Sequence, residues 1–132
     1  MRAIVLFCSL FVVLFATPYE LARSYAEYYS RALPQRRDIN FTLTALLNVG
    51  EELYYHYKIN DASSKAILKM SDDELKKYRQ ILIKRSIETH CKDPRVVPML
   101  AGGIKLHHLF YRDSGAKLLF EFIIDKKLCN IP

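Results

Sequence analysis

The chain has 132 residues, 51% of them hydrophobic, which is enough for one domain with a core and argues against disorder. Lys and Arg number 20 against 14 Asp and Glu, for a net charge of +6. These charges are interspersed with no basic block, so the surface reads as mixed and solvated and no nucleic-acid partner is expected.

The chain opens on MRAIVLFCSLFVVLFAT, in which Arg2 precedes an uncharged run from Ala3 to Thr17. A membrane span needs about 20 apolar residues, and this run is shorter. A charged start, an apolar middle and a polar continuation fit a secretory signal peptide. Residues 1–16 are therefore expected to be the leader, and residues 17–132 a single α+β domain, periplasmic or secreted. Ala16 has Leu14 rather than a small residue two positions before it, and Ala22 with Ser24 offers a later cleavage choice. Retention of the leader as an anchor is the alternative. Cys8 lies inside the apolar run, a poor place for lipid attachment. Once the leader is removed, Cys91 and Cys129 remain, and two cysteines in an exported chain usually pair. The chain-entropy account gives such a bridge roughly 4 kcal/mol. There is no C-x-x-C to support a thioredoxin-like role.

Residues 18–34 read as a helix, with Leu21, Tyr25, Tyr28, Tyr29 and Ala32 on one stripe and Glu27 spaced to pair with Arg31. Residues 38–60 read as a hairpin. Ile39, Phe41, Leu43 and Ala45 alternate in the first arm, the sequence NVGE turns, and Leu53, Tyr55, Tyr57 and Ile59 alternate in the second. Asn40-Phe41-Thr42 matches a glycosylation acceptor. Residues 60–70 read as a polar loop. Ser71 and Glu74 then form a capping box that opens a helix to about His90. Leu75, Tyr78, Ile81 and Leu82 face inward from it, while Lys76, Lys77, Lys84 and Arg85 lie mainly outside. An irregular connection with one short helical turn after Asp93 leads to the second hairpin. Its turn is at Asp113 to Gly115. Ile104, Leu106, His108 and Phe110 share one face of its first arm, and Leu118, Phe120, Phe122 and Ile124 share one face of its second. The expected fold is thus α+β, two helices packed on an antiparallel sheet of about four strands in the order helix, hairpin, helix, hairpin.

Several features recur in one order between about residues 33 and 129. Leu-Pro precedes an alternating strand, G-x-x-L-x-Y-x-Y follows at Gly50 to Tyr57, and a helix ends in Cys91. Then come L-x-G-G at Leu100, F-Y-x-D-x-G at Phe110 and a last Cys129. This pattern resembles small exported two-cysteine bacterial proteins of the quorum-sensing-regulated virulence factor family. The resemblance implies an α+β fold and export, and carries over no catalytic residues.

The adjacent histidines His107 and His108 point to opposite faces of a strand, so they cannot hold one ion together. His108 shares the apolar face and is expected to be a buried neutral imidazole with one hydrogen-bond partner. His107 and His56 share the outer faces of their hairpins and would approach each other if those strands pair, without a clear third ligand. No nucleophile with a base, no carboxylate pair and no phosphate-binding glycine loop stands out. No catalytic residue, metal or cofactor is assigned. The expected function is a non-enzymatic interaction module: a secreted virulence-associated factor, a periplasmic inhibitor or immunity protein, or an accessory of secretion or pilus assembly. A protein partner would meet sheet edges or the outer strip of Tyr54, His56, His107 and Tyr111. The alternatives are a small hydrolase or metal-binding protein using His56 and His107, and weak membrane-surface contact through Lys76, Lys77, Lys84 and Arg85.

Overall fold

A computed structural model describes residues 16–112 and 117–132. The expected leader with Cys8 and the expected turn at Asp113 to Gly115 lie outside the described residues. In chain order the elements are α1 (Pro18–Ser30), β1 (Gln35–Arg36), β2 (Phe41–Val49), β3 (Glu52–Ile59), α2 (Asp61–Leu68), α3 (Asp72–His90), α4 (Val97–Ala101), β4 (Lys105–Arg112) and β5 (Lys117–Ile124). No helix among the described residues is long and apolar enough to cross a membrane.

The fold is α+β, as expected, but it differs in its parts. The sheet has five strands in the order β1-β2-β3-β4-β5, and four helices are described rather than two. The sheet is mixed, not antiparallel: β3 and β4 run parallel. The two hairpins meet at this pair, and the segment between them carries α2, α3 and α4. A crossover of that length can return the chain in either direction, whereas a tight turn returns it in only one. β1 has two residues and is too short to show an alternation. In α2, the run Asp-Ala-Ser-Ser reads locally as loop, because serine side chains compete with the backbone in the helical conformation. Its Ile67 anchors it in the core.

Local signals otherwise act as their chemistry requires. Thr17 caps α1: its side chain accepts from the Glu20 backbone N–H, and the Glu20 carboxylate accepts from the Thr17 N–H. The helix ion pair on α1 joins Arg23 to Glu27 at 3.2 Å, not Glu27 to Arg31, because the helix ends at Ser30. Tyr28 turns outward at 66% exposure, and Ala22 and Ala26 form the buried seam instead. Ser71 caps α3 through the Glu74 backbone N–H. Gly50 turns the first hairpin with φ of +58°, a conformation that costs glycine nothing.

One core lies between the sheet and the helices. It joins Ala22 and Ala26 of α1, Ile67 of α2, Leu82 of α3 and Met99 and Leu100 of α4 to the inward residues of β2–β5. Leu53, Tyr55, Tyr57 and Ile59 of β3 and Leu106, His108 and Phe110 of β4 all point inward as their alternation predicts. An irregularity in β2 between Leu43 and Ala45 breaks the expected pattern, so Leu46, not Ala45, is buried. A second one between Phe110 and Tyr111 leaves Leu118 at 45% exposure. α4 packs close to the start of α1, where a Cβ on Gly102 would collide with the Pro18 ring. Cys91, at the end of α3, is bonded to Cys129, with Cα atoms 5.3 Å apart. The bridge ties the chain after β5 back to the longest helix.

Candidate functional site

The helices contribute their buried residues to one face of the sheet. On the opposite face, the parallel register sets Tyr54 beside His107, His56 beside Leu109 and Lys58 beside Tyr111. The four aromatic residues expected to form an outer strip therefore do come together. Tyr54 stacks on His107 with ring centroids 4.3 Å apart, and His56 stacks on Tyr111 at 5.4 Å. Leu109 lies among them and is 8% exposed, although it is not part of the helix-facing core.

Glu52 closes one end of the strip. Its carboxylate accepts from the Tyr54 hydroxyl at 3.3 Å, and His107 Nε2 lies 3.1 Å from it. That approach is at ion-pair range but is not aligned as a hydrogen bond. The His107 ring holds the Glu52 carboxyl below its ordinary range. Burial pushes the Tyr54 hydroxyl up and the His56 imidazole down. His56 and His107 are thus each engaged with a different tyrosine, and no group of three His, Cys, Asp or Glu among the described residues converges on a metal position. The strip offers half-buried stacked rings with polar tips, which suits contact with another molecule's surface.

The inward histidine behaves as its strand position predicts. His108 is 1% exposed and shares one hydrogen bond, Nδ1 to the Tyr57 hydroxyl at 2.9 Å. It stacks between Tyr55 at 4.5 Å and Phe122 at 5.0 Å. Burial holds its pKa well below the ordinary value, so the ring is neutral. The same burial pushes the Tyr57 hydroxyl up. The potential glycosylation residue Asn40 has its side-chain nitrogen committed to the Tyr78 hydroxyl at 2.7 Å.

A second feature lies on the helical side. A cavity of about 370 Å³ opens between α1, α3 and the sheet, floored by Tyr55 and Tyr57 and bordered by Tyr29, His90, Arg37 and Arg85. The Tyr55 hydroxyl donates to that of Tyr25 at 3.2 Å. The reading of α1 as a core helix and of Arg85 as a surface cation missed this cavity. Its residues come from segments far apart in the chain, and no single motif marks them.

No family model matches the sequence, and no curated protein matches it. Among solved structures, the fold is similar to the type 2 secretion system pilotin of Vibrio vulnificus (15% identity, TM-score 0.65, 85% of this chain and 91% of that one). It is similar to the type II secretion system pilotin of Vibrio cholerae (15% identity, TM-score 0.62, 85% of this chain and 92% of that one). It is also similar to a Pseudomonas aeruginosa protein provisionally classed as secreted (12% identity, TM-score 0.67, 85% of this chain and 92% of that one). At these identities the likeness is one of fold. None of the three carries the name of the quorum-sensing-regulated family, and what this chain shares with them is the α+β fold.

Proposed function

We propose that the protein is an exported, non-enzymatic accessory of a secretion apparatus, which works outside the cytoplasm by binding a segment of a partner protein. The observation that carries this reading is the extent of the fold likeness. It covers 85% of this chain and over nine-tenths of two separate pilotins of type 2 secretion systems. The apolar start of the chain and the Cys91–Cys129 bridge agree with an oxidising, extracytoplasmic location.

The contact surface in this reading is the outer strip of Tyr54, His56, His107 and Tyr111 around Leu109. Tyrosines bury much area with few rotors, so paired rings on a rigid sheet make efficient anchors. The test is a photo-activated crosslinker placed at Tyr111 in the producing cell, with the captured protein identified by mass spectrometry. The expected capture is a component of a secretion apparatus, lost in Tyr54→Ala. That variant should keep its melting profile, because Tyr54 lies outside the core. Capture that survives Tyr54→Ala would move the contact elsewhere. Capture only of proteins unrelated to secretion would refute the reading itself.

A further inference from the structure

The cavity on the helical side lies across the sheet from the outer strip, and its chemistry is independent of whether the strip is a contact surface. Three guanidinium residues line it, Arg37, Arg85 and Arg95, against two carboxylates, Asp38 and Asp93. The carboxylates are already occupied. Asp38 Oδ1 accepts from the backbone N–H of Asn40 at 2.7 Å and of Phe41 at 2.8 Å. Asp93 accepts from the Arg95 backbone N–H and from Nε and Nη2 of its guanidinium, at 2.9 to 3.2 Å. Arg95 is therefore spoken for, and its guanidinium also lies 5.1 Å from the centre of the Tyr29 ring. Arg85 reaches Asp38 only loosely, at 3.8 Å. Arg37 has no carboxylate within 4 Å among the described residues. One positive charge is thus left over at the rim.

Two further groups lack partners. The Tyr29 hydroxyl and His90 Nδ1 are buried polar atoms with no hydrogen-bond partner among the described residues, and both residues line this cavity. Buried polar groups are nearly always satisfied, so these two atoms mark strained packing in the cavity wall, although both are closed to water. The remaining wall is apolar and aromatic, from Phe41, Leu82 and Phe110. A volume of about 370 Å³ is at the small end of ligand pockets and suits one or two side chains, not a helix or a lipid tail.

We propose that this cavity binds a carboxylate carried on an apolar group, with the carboxylate against Arg37 and Arg85 and the apolar group among the tyrosine rings that line the cavity. The surplus of one positive charge matches a monoanion; a phosphate dianion would lack a second free cation. Two sources share this chemistry, a free small acid and the C-terminal residue of a peptide.

Nuclear magnetic resonance titration of the purified protein distinguishes them. N-acetyl-L-phenylalanine stands for the free acid and N-acetyl-trialanyl-phenylalanine for a chain end, each compared with its C-terminal amide and with inorganic phosphate. Saturable shifts at the Arg37 and Arg85 side-chain signals are expected with the acids. The amides should bind about fivefold more weakly or worse, the effect of losing one partly screened charge pair. The tighter of the two acids identifies the source. Arg37→Gln and Arg85→Gln should each weaken the acids to a similar degree, while Arg23→Gln, an equal change in net charge on the exposed side of α1, should not. Acids and amides bound alike, phosphate bound more tightly than either acid, or unchanged affinity in folded Arg37→Gln protein would each overturn the proposal.

Discussion

Lowering the pH from 7 to 5 should remove stability through His90. This ring closes α3 against the sheet, tilted over Tyr55 at 5.5 Å and over His108 at 5.1 Å. Burial is the main cause that holds its pKa down from 6.5 to about 4; the Asp93 carboxylate opposes the shift and the Arg37 charge adds to it. In the unfolded chain the same imidazole takes up a proton near pH 6.5. The unfolded state therefore binds more protons as the pH falls below that value, and stability declines until about pH 4, where both forms are charged. Linkage over that interval assigns His90 a loss of about 2 kcal/mol between pH 7 and pH 5. His108, shifted in the same direction by complete burial, adds to the loss. Most carboxylates titrate below this window, which keeps the two effects apart. Urea unfolding at pH 7, 6 and 5 measures the slope for the parent and for His90→Gln. The variant should lose about 2 kcal/mol less than the parent across the window. An unchanged slope would show that His90 is not held neutral by burial, and would refute the reasoning.

Replacing Cys91 and Cys129 with Ser opens a closed loop of 38 residues. Urea unfolding at pH 7 should show a loss of about 4 kcal/mol, and a loss below about 1 kcal/mol would count against the chain-entropy account. Tyr57→Phe removes the one hydrogen bond of His108, whose Nε2 already has no partner among the described residues. It should cost about 1–3 kcal/mol in thermal unfolding, and a neutral effect would mean that another group satisfies the ring. Mass spectrometry of the exported protein should find an N-terminus at Thr17, because a start at Tyr25 would delete the Thr17 cap and the fully buried Ala22. An intact chain recovered only from the cytoplasm would contradict export.

Much of the sheet was legible because strand geometry has a period of two. Leu53, Tyr55, Tyr57 and Ile59 could face the core only together, and so could Leu106, His108 and Phe110. What escaped depends on relations between distant segments. The direction in which β4 meets β3 is decided by how α2, α3 and α4 pack, and no residue within β3 or β4 records it. The register shifts in β2 and β5 are likewise invisible to strict alternation, which put Ala45 and Leu118 on the wrong side. The Asp61–Leu68 helix was missed because its polar residues resemble a loop, while Ile67, the residue that fixes it, needs the rest of the core to be recognised.

The two candidate sites divide along the same line. The outer strip could be read from the sequence because Tyr54 and His56, like His107 and Tyr111, lie at even spacing on strands that proved to be neighbours. The cavity could not, because its residues are scattered along the chain and those that were read had a sufficient local explanation. Tyr29 belongs to the apolar stripe of α1, Arg85 to the solvated side of α3, and Arg37 to a connection before β2. A tyrosine that fills a core and one that lines a cavity give the same helical periodicity. They differ only in whether a partner arrives for the hydroxyl. For Tyr55 one does, the Tyr25 hydroxyl at 3.2 Å; for Tyr29 none does among the described residues. An unpaired buried polar atom is a property of the assembled fold, as is the cavity beside it with its surplus guanidinium, and both become visible only after folding has placed α1, α3 and the sheet together.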